Sequence, residues 1–198
     1  MRKLVVAVLA LGFMAGCTSQ PSTPAATEKP RPKPPEAITG RSAFQKCYVA
    51  ARGWARDAQP YRLESQVTTE SKGHDGKAGA WRAGFASPLQ QKSKPYMWSA
   101  GDVSFGTEDS YSPTNSSTMV FDIAFLKIDS DQALEVAQKH GGDKLLEKDP
   151  ATPVTYALDW NRQDGALLWH VIFGTDRDSA KLRVTVNAST GDFLRVEK

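Results

Sequence analysis

Apolar residues beyond position 40 recur with two periods. Phe44, Cys47, Tyr48 and Ala51 fall at i, i+3, i+4 and i+7, which places them on one face of a helix. Ser42 followed by Gln45 has the form of a capping box at its start, and Gly53 and Pro60 bracket its end. The period then drops to two. Tyr61, Leu63 and Val67 alternate with Arg62, Glu64, Gln66 and Thr68, the pattern of a strand with one buried face. Beyond a loop holding Gly73, Gly76 and Gly79, the run Trp81-x-Ala83-x-Phe85 predicts a second strand, and Tyr96 with Trp98 marks a third. Residues 106–117 are polar and turn-rich, after which Met119, Phe121, Ile123 and Phe125 alternate as a fourth strand.

The same succession begins again at Asp129. With Gln132 three residues on, Asp129 is placed to cap a helix whose inner face is Ala133, Leu134 and Ala137 and which Gly141-Gly142 stops. Strands follow on Val154, Tyr156, Leu158 and Trp160, on Leu167, Trp169, Val171 and Phe173, and on Leu182, Val184, Val186 and Ala188. Asp164-Gly165 makes a hairpin turn between the first two, and Ser189-Thr190-Gly191-Asp192 turns into a closing strand over residues 193–196. Trp-x-Ala/Val-x-Phe stands in the second strand of each succession, at Trp81 and again 88 residues later at Trp169. The expected fold class is α+β: two similar units, residues 41–128 and 129–198, each one helix packed on an antiparallel sheet of about three to four strands.

The first 40 residues carry a different message. Arg2 and Lys3 precede an apolar run over residues 4–15, which closes on Ala15-Gly16 before Cys17. That is the layout of a signal peptide, too short for a hydrocarbon core that needs roughly 20 apolar residues. Met14-Ala15-Gly16-Cys17 resembles the bacterial lipobox, with Met14 where that pattern prefers Leu. The resemblance implies cleavage after residue 16 and a diacylglyceryl group on Cys17, so that the membrane is a partner through acylated Cys17. It implies a place in the bacterial cell envelope, in a diderm host the outer membrane, because Thr18 and not Asp follows the Cys. Six prolines among residues 18–37 keep residues 17–40 from building a core and make them a tether.

Removal of residues 1–16 takes Arg2 and Lys3 from the 25 basic residues and leaves 23 against 22 acidic ones. A body so nearly neutral carries no nucleic-acid footprint. Lipidation also consumes one of the two cysteines, so Cys47 has no disulfide partner and, on a helix's apolar stripe, reads as a buried, inert thiol.

Within residues 129–198, the helix with its Gly-Gly stop, Leu168-Trp169-His170-Val171, and the run from Val184 through Thr185, Val186, Asn187, Ala188, Ser189, Thr190, Gly191 and Asp192 to Phe193 are similar to the PepSY domain. That family's last strand commonly reads Val-Asp-Ala-x-Thr-Gly, and Asn187 stands here for the Asp. The resemblance implies a small helix-on-sheet module, of a kind found in peptidase propeptides and envelope proteins and suggested to modulate peptidases.

Chemistry is sparse. His74 lies in a Gly-rich loop, His140 at a helix end, and His170 on the outward parity of a core strand; no G-x-S-x-G, H-E-x-x-H or C-x-x-C is present. The stretch from Asp159 to Gly165 fails as a calcium loop, with Gly at its seventh position and His170 at its twelfth. No catalytic residue, metal ligand, ligand-binding residue or cofactor is therefore assigned. Trp81, Trp98, Trp160 and Trp169 lie on the apolar parity of their strands, which favours core packing over a binding platform. The function expected is a membrane-tethered, non-catalytic module binding or modulating a peptidase or other envelope protein. The alternatives are a small-ligand lipoprotein with a cleft between the repeats and a carboxylate-dependent envelope hydrolase.

Overall fold

The computed structural model describes residues 36–69 and 71–197. Strand β1 (Ile38–Thr39) leads into α1 (Gly40–Trp54), followed by β2 (Gln59–Gln66), β3 (Lys77–Ala78), β4 (Ala80–Ser87), β5 (Lys92–Ser99), β6 (Asp102–Phe105) and β7 (Asp109–Ser110). Helices α2 (Ser130–Ala137) and α3 (Asp143–Lys148) precede β8 (Val154–Asn161), β9 (Ala166–Phe173), β10 (Leu182–Asn187) and β11 (Phe193–Glu197). The fold is α+β, and all the strand pairs described are antiparallel. One sheet runs in the order β11-β10-β9-β8-β2-β4-β5-β6, with β7 also on β5, while β1 and β3 pair separately. Its centre is the β2–β8 pair, in which Arg62, Glu64 and their neighbour Leu63 face Asp159, Ala157 and Leu158.

Helices α1 and α2 pack on one face of this sheet. The apolar stripe of α1 (Ala43, Phe44, Cys47, Ala51) and that of α2 (Ala133, Leu134, Ala137) share a core with Leu63, Trp81, Phe85, Trp98, Leu158, Trp169, Val171 and Val184. Trp81 and Trp169 are fully buried, meet edge to face at 6.4 Å, and donate their indole N–H to the carbonyls of Ile38 and Ile128 respectively, each at 2.9 Å. Each carbonyl lies two residues ahead of a helix, so each tryptophan ties a helix entry to the sheet while satisfying the one polar atom it buries. Burial pushes the Cys47 thiol up to about 11, although a backbone contact with Trp98 opposes the shift, which fits an inert packing residue.

The Asp129–Gln132 capping box forms: the Asp129 carboxylate accepts from the backbone at the helix start, and the Gln132 side chain accepts from the Asp129 N–H at 3.1 Å. The one expected at Ser42 and Gln45 does not. Helix α1 begins at Gly40 behind Thr39, whose side chain makes no cap hydrogen bond. Its free N–H groups are satisfied from the far part of the chain, Gly40 by Ser130 Oγ at 2.8 Å and Arg41 by Asp129 Oδ1 at 2.9 Å.

Three further expectations are corrected. Residues 119–125 are not a strand: Phe121 is buried, but Asp122 accepts from the Ala124 N–H at 2.8 Å and winds a 3₁₀ turn over Ile123–Phe125. The fourth strand of the first succession is β6, which carries no apolar stripe and is reached by a tight turn at Ala100 (φ 55°) and Gly101 (φ 92°). Val67 does not extend the buried face of β2, which ends at Gln66 and leaves Val67 exposed; a register shift at Tyr61 turns its ring over Gly84, where no Cβ would fit. Gly141-Gly142 redirects the helix and does not end it, through a π turn over Gln138–Gly142 with Gly141 at φ 114°, after which α3 follows. Gly142 also lets Phe173 close in, since a Cβ there would stand 2.3 Å from the ring.

Candidate functional site

The sheet's second face carries neither α1 nor α2. Its character follows from strand parity: where Leu158, Trp169, Val171 and Val184 point to the helices, Ala157, Asp159, Leu168, His170, Ile172, Arg183 and Thr185 point away. Several of these are nonetheless buried, among them Ala157, Leu168, His170, Ile172 and Thr185. His170 therefore does not face solvent from its strand, as its parity suggested. The run Ala166-Leu167-Leu168-Trp169-His170-Val171-Ile172-Phe173 held the signal: it barely alternates, as strands covered on both faces do.

His170 is 4% exposed and stands between two carboxylates. Its Nε2 lies 3.3 Å from Asp159 Oδ1, and its Nδ1 lies 3.3 Å from Glu197 Oε1, the latter an ion-pair contact without hydrogen-bond alignment. A row of charges continues outward from each carboxylate. Arg177, from the loop after β9, reaches Asp159 Oδ2 at 2.6 Å, while Arg183 Nε lies 3.4 Å from Glu197 Oε2 and the Thr185 hydroxyl donates to Oε1 at 2.8 Å. At the sheet edge Arg195 pairs with Asp164 at 2.9 Å.

Burial works against charge on His170, Asp159 and Glu197, and their neighbours overcome it. For His170 desolvation is opposed by the hydrogen bond to Asp159 and the close carboxylate of Glu197, and its pKa is raised. Asp159 pays the same desolvation but is held at about 2 by His170 and Arg177, and Glu197 is held at about 2 first by His170, against its own burial. The triad is thus a histidine clamped between two carboxylates that favour its protonated form. Because they sit on opposite ring nitrogens, the carboxylates do not converge on one point, and the arrangement suits holding three strands together more than gathering ligands around an ion.

Beside the row lies an open cleft of about 440 Å³, where the β2–β8 ladder breaks. Past Glu64 and Ala157 the ladder stops, and the Tyr156 N–H donates instead to the Ser65 hydroxyl at 2.8 Å. The buried residues Thr155, Ala157 and Ile172 floor the cleft, with Glu64 and Gln66 on one side and Arg177 on the other.

The remaining candidates lie apart. His74 Nε2 meets the Thr152 carbonyl at 2.7 Å, and His140 packs on the Phe193 ring at 3.7 Å. Trp160 is half-buried against Phe125, whereas Trp81, Trp98 and Trp169 are core. Trp54, which no pattern placed, donates its indole N–H to Glu108 at 2.8 Å. Asp164-Gly165 does lie in the β8–β9 turn, where Asn161 accepts from the N–H groups of Gln163 and Asp164. Cys17 lies outside the described residues.

No family model matches the sequence, and no curated protein does. Among solved structures, the chain is similar to a protein of Clostridium difficile 630 described as a "putative lipoprotein", with a TM-score of 0.54 at 14% identity, covering 78% of this chain and 91% of that one. At that identity the likeness is one of fold.

Proposed function

We propose that this protein is a lipid-anchored, non-catalytic interaction module of the bacterial cell envelope, and that it meets a protein partner with the helix-free face of its sheet. The observation that carries this reading is the division of that sheet, with α1 and α2 on one face and an ordered row of charged side chains on the other. Arg82 is exposed on that face, so the partner surface is acidic. The similarity to a protein described as a "putative lipoprotein" and the lipobox-like stretch ending at Cys17 support the envelope setting, and Thr18 after that Cys supports the outer membrane in a diderm host.

The reading includes a duplication of residues 41–128 and 129–198. It is supported by the strand order, which runs outward from β2–β8 as second, third and fourth strands on both sides, and by Trp81 and Trp169 donating to equivalent carbonyls. With the PepSY resemblance of the second unit, a peptidase is the partner class favoured.

Two measurements test the proposal. A photo-crosslinker at Arg82 or Arg195, in cells, is expected to trap one envelope protein that Lys46 and Glu135 on the helices do not; equal capture from both faces would refute the assignment. Cys17→Ala is expected to abolish membrane retention, because the acyl chains contribute about 0.8 kcal/mol per buried CH₂ and the near-neutral body little. A wild-type mature protein without lipid by intact mass would sink the anchoring half.

A further inference from the structure

The cleft at the break in the β2–β8 ladder has the makings of a small-molecule site. Its volume of about 440 Å³ falls in the lower part of the range for such pockets. The floor of Thr155, Ala157 and Ile172 is buried and mostly apolar, so it offers contact to an aliphatic body. The walls carry opposite charges, apart from Asp176 beside Arg177, whose carboxylate is taken up by the Thr175 hydroxyl and the N–H groups of Asp178 and Ser179. On the β2 side stands the Glu64 carboxylate, whose ion pair with Arg62 is a loose 3.6 Å. On the other side stands Arg177, a single nitrogen of which, Nη2, is committed to Asp159; Nε and Nη1 have no ion-pair or hydrogen-bond partner among the described residues. Asp159 thereby aims the guanidinium without using it up.

The spacing selects the length of the ligand. Glu64 stands on β2 opposite Ala157, and the Arg177 guanidinium is held by Asp159, two residues further along the adjacent strand β8, so the two anchors lie one strand spacing across and two residues along, roughly 8 Å apart. Side chains leaning inward take part of that span. One extended residue reaches about 3.5 Å and two reach about 7 Å, and the longer reach matches that span.

We propose that this cleft binds a short zwitterionic peptide of two or three residues, its ammonium on Glu64, its carboxylate on Arg177, and an aliphatic side chain against Ile172. The site is independent of the partner reading, since it asks only for the purified protein and a peptide. The test is an amide NMR titration of the full chain with alanyl-leucine. Saturable shifts are expected at residues 64–67, 155–157 and 175–177. Binding should weaken about tenfold or more for N-acetyl-alanyl-leucine and for alanyl-leucinamide, each of which deletes one charged contact. Glu64→Gln should erase the penalty for acetylation and leave that for amidation. Arg177→Gln should do the reverse; Arg177→Lys keeps the charge beside Asp159 should the Gln variant not fold, and should bind in between. The absence of saturable shifts at 10 mM peptide, on the order of the weakest useful affinity, would overturn the site. Equal binding of the blocked peptides would overturn the charge assignment. Failure of the crosslinking experiment would leave these shifts untouched, and the converse holds.

Discussion

Trp169→Ala should lower the free energy of unfolding by about 3 to 5 kcal/mol, and Trp81→Ala by a similar amount. Each residue is fully buried, and each indole N–H is spent on the carbonyl just ahead of a helix. Truncation therefore opens a cavity and also strands the Ile38 or Ile128 carbonyl. The two rings touch, so the double variant should lose less than the sum of the singles. Equilibrium urea unfolding of the three variants measures this. If either single variant unfolded within 1 kcal/mol of wild type, a difference on the order of ordinary surface substitutions, the rings would not be the keystones described.

The second large effect is expected at Asp159. Asp159→Asn leaves Arg177 without its carboxylate and His170 with only Glu197, a broken buried ion pair that costs roughly 3 kcal/mol. The pH profile identifies the cause. His170 has a raised folded pKa, so its contribution is complete below the unfolded value of about 6.5 and fades as pH rises through the folded one. Asp159 and Glu197 have depressed pKa values near 2, so theirs is complete above an unfolded value of about 4 and fades as pH falls towards about 2. Wild type should thus be most stable between roughly pH 4.5 and 6.5. Asp159→Asn should be destabilised most within that window and less outside it. Parallel profiles for the two proteins would show that the triad does not set the pH dependence.

Much of this architecture is legible in periodicity. Strands β8 to β11 follow their alternation to within a residue or two, and the buried stripes of α1 and α2 are those the spacing marks. What the spacing hides is supplied from elsewhere in the chain. No local pattern says that Gly40 is capped by Ser130, because the partner lies 90 residues away. The segment around Phe121 alternates like a strand, yet its backbone is captured by Asp122, a short-range competitor that periodicity ignores. Strand β6 has the opposite problem: at the sheet edge it buries little and so has no stripe to read. The charge row was invisible for a third reason. His170 and Glu197 are 27 positions apart in sequence and meet because β10 lies between their strands.

The shared cap at Asp129 and Ser130 also sets an order of events in time. The first turn of α1 takes its hydrogen bonds from residues that leave the ribosome some 90 positions later. The central strand β2 likewise waits for β8 to cover one edge. Contacts of such long range are assembled slowly, since the closure entropy of a long loop must be met before they form. The leading part of the chain therefore has no finished fold to adopt while the rest is still arriving. A nascent chain of this design lacks its finished fold until its last strands have been made.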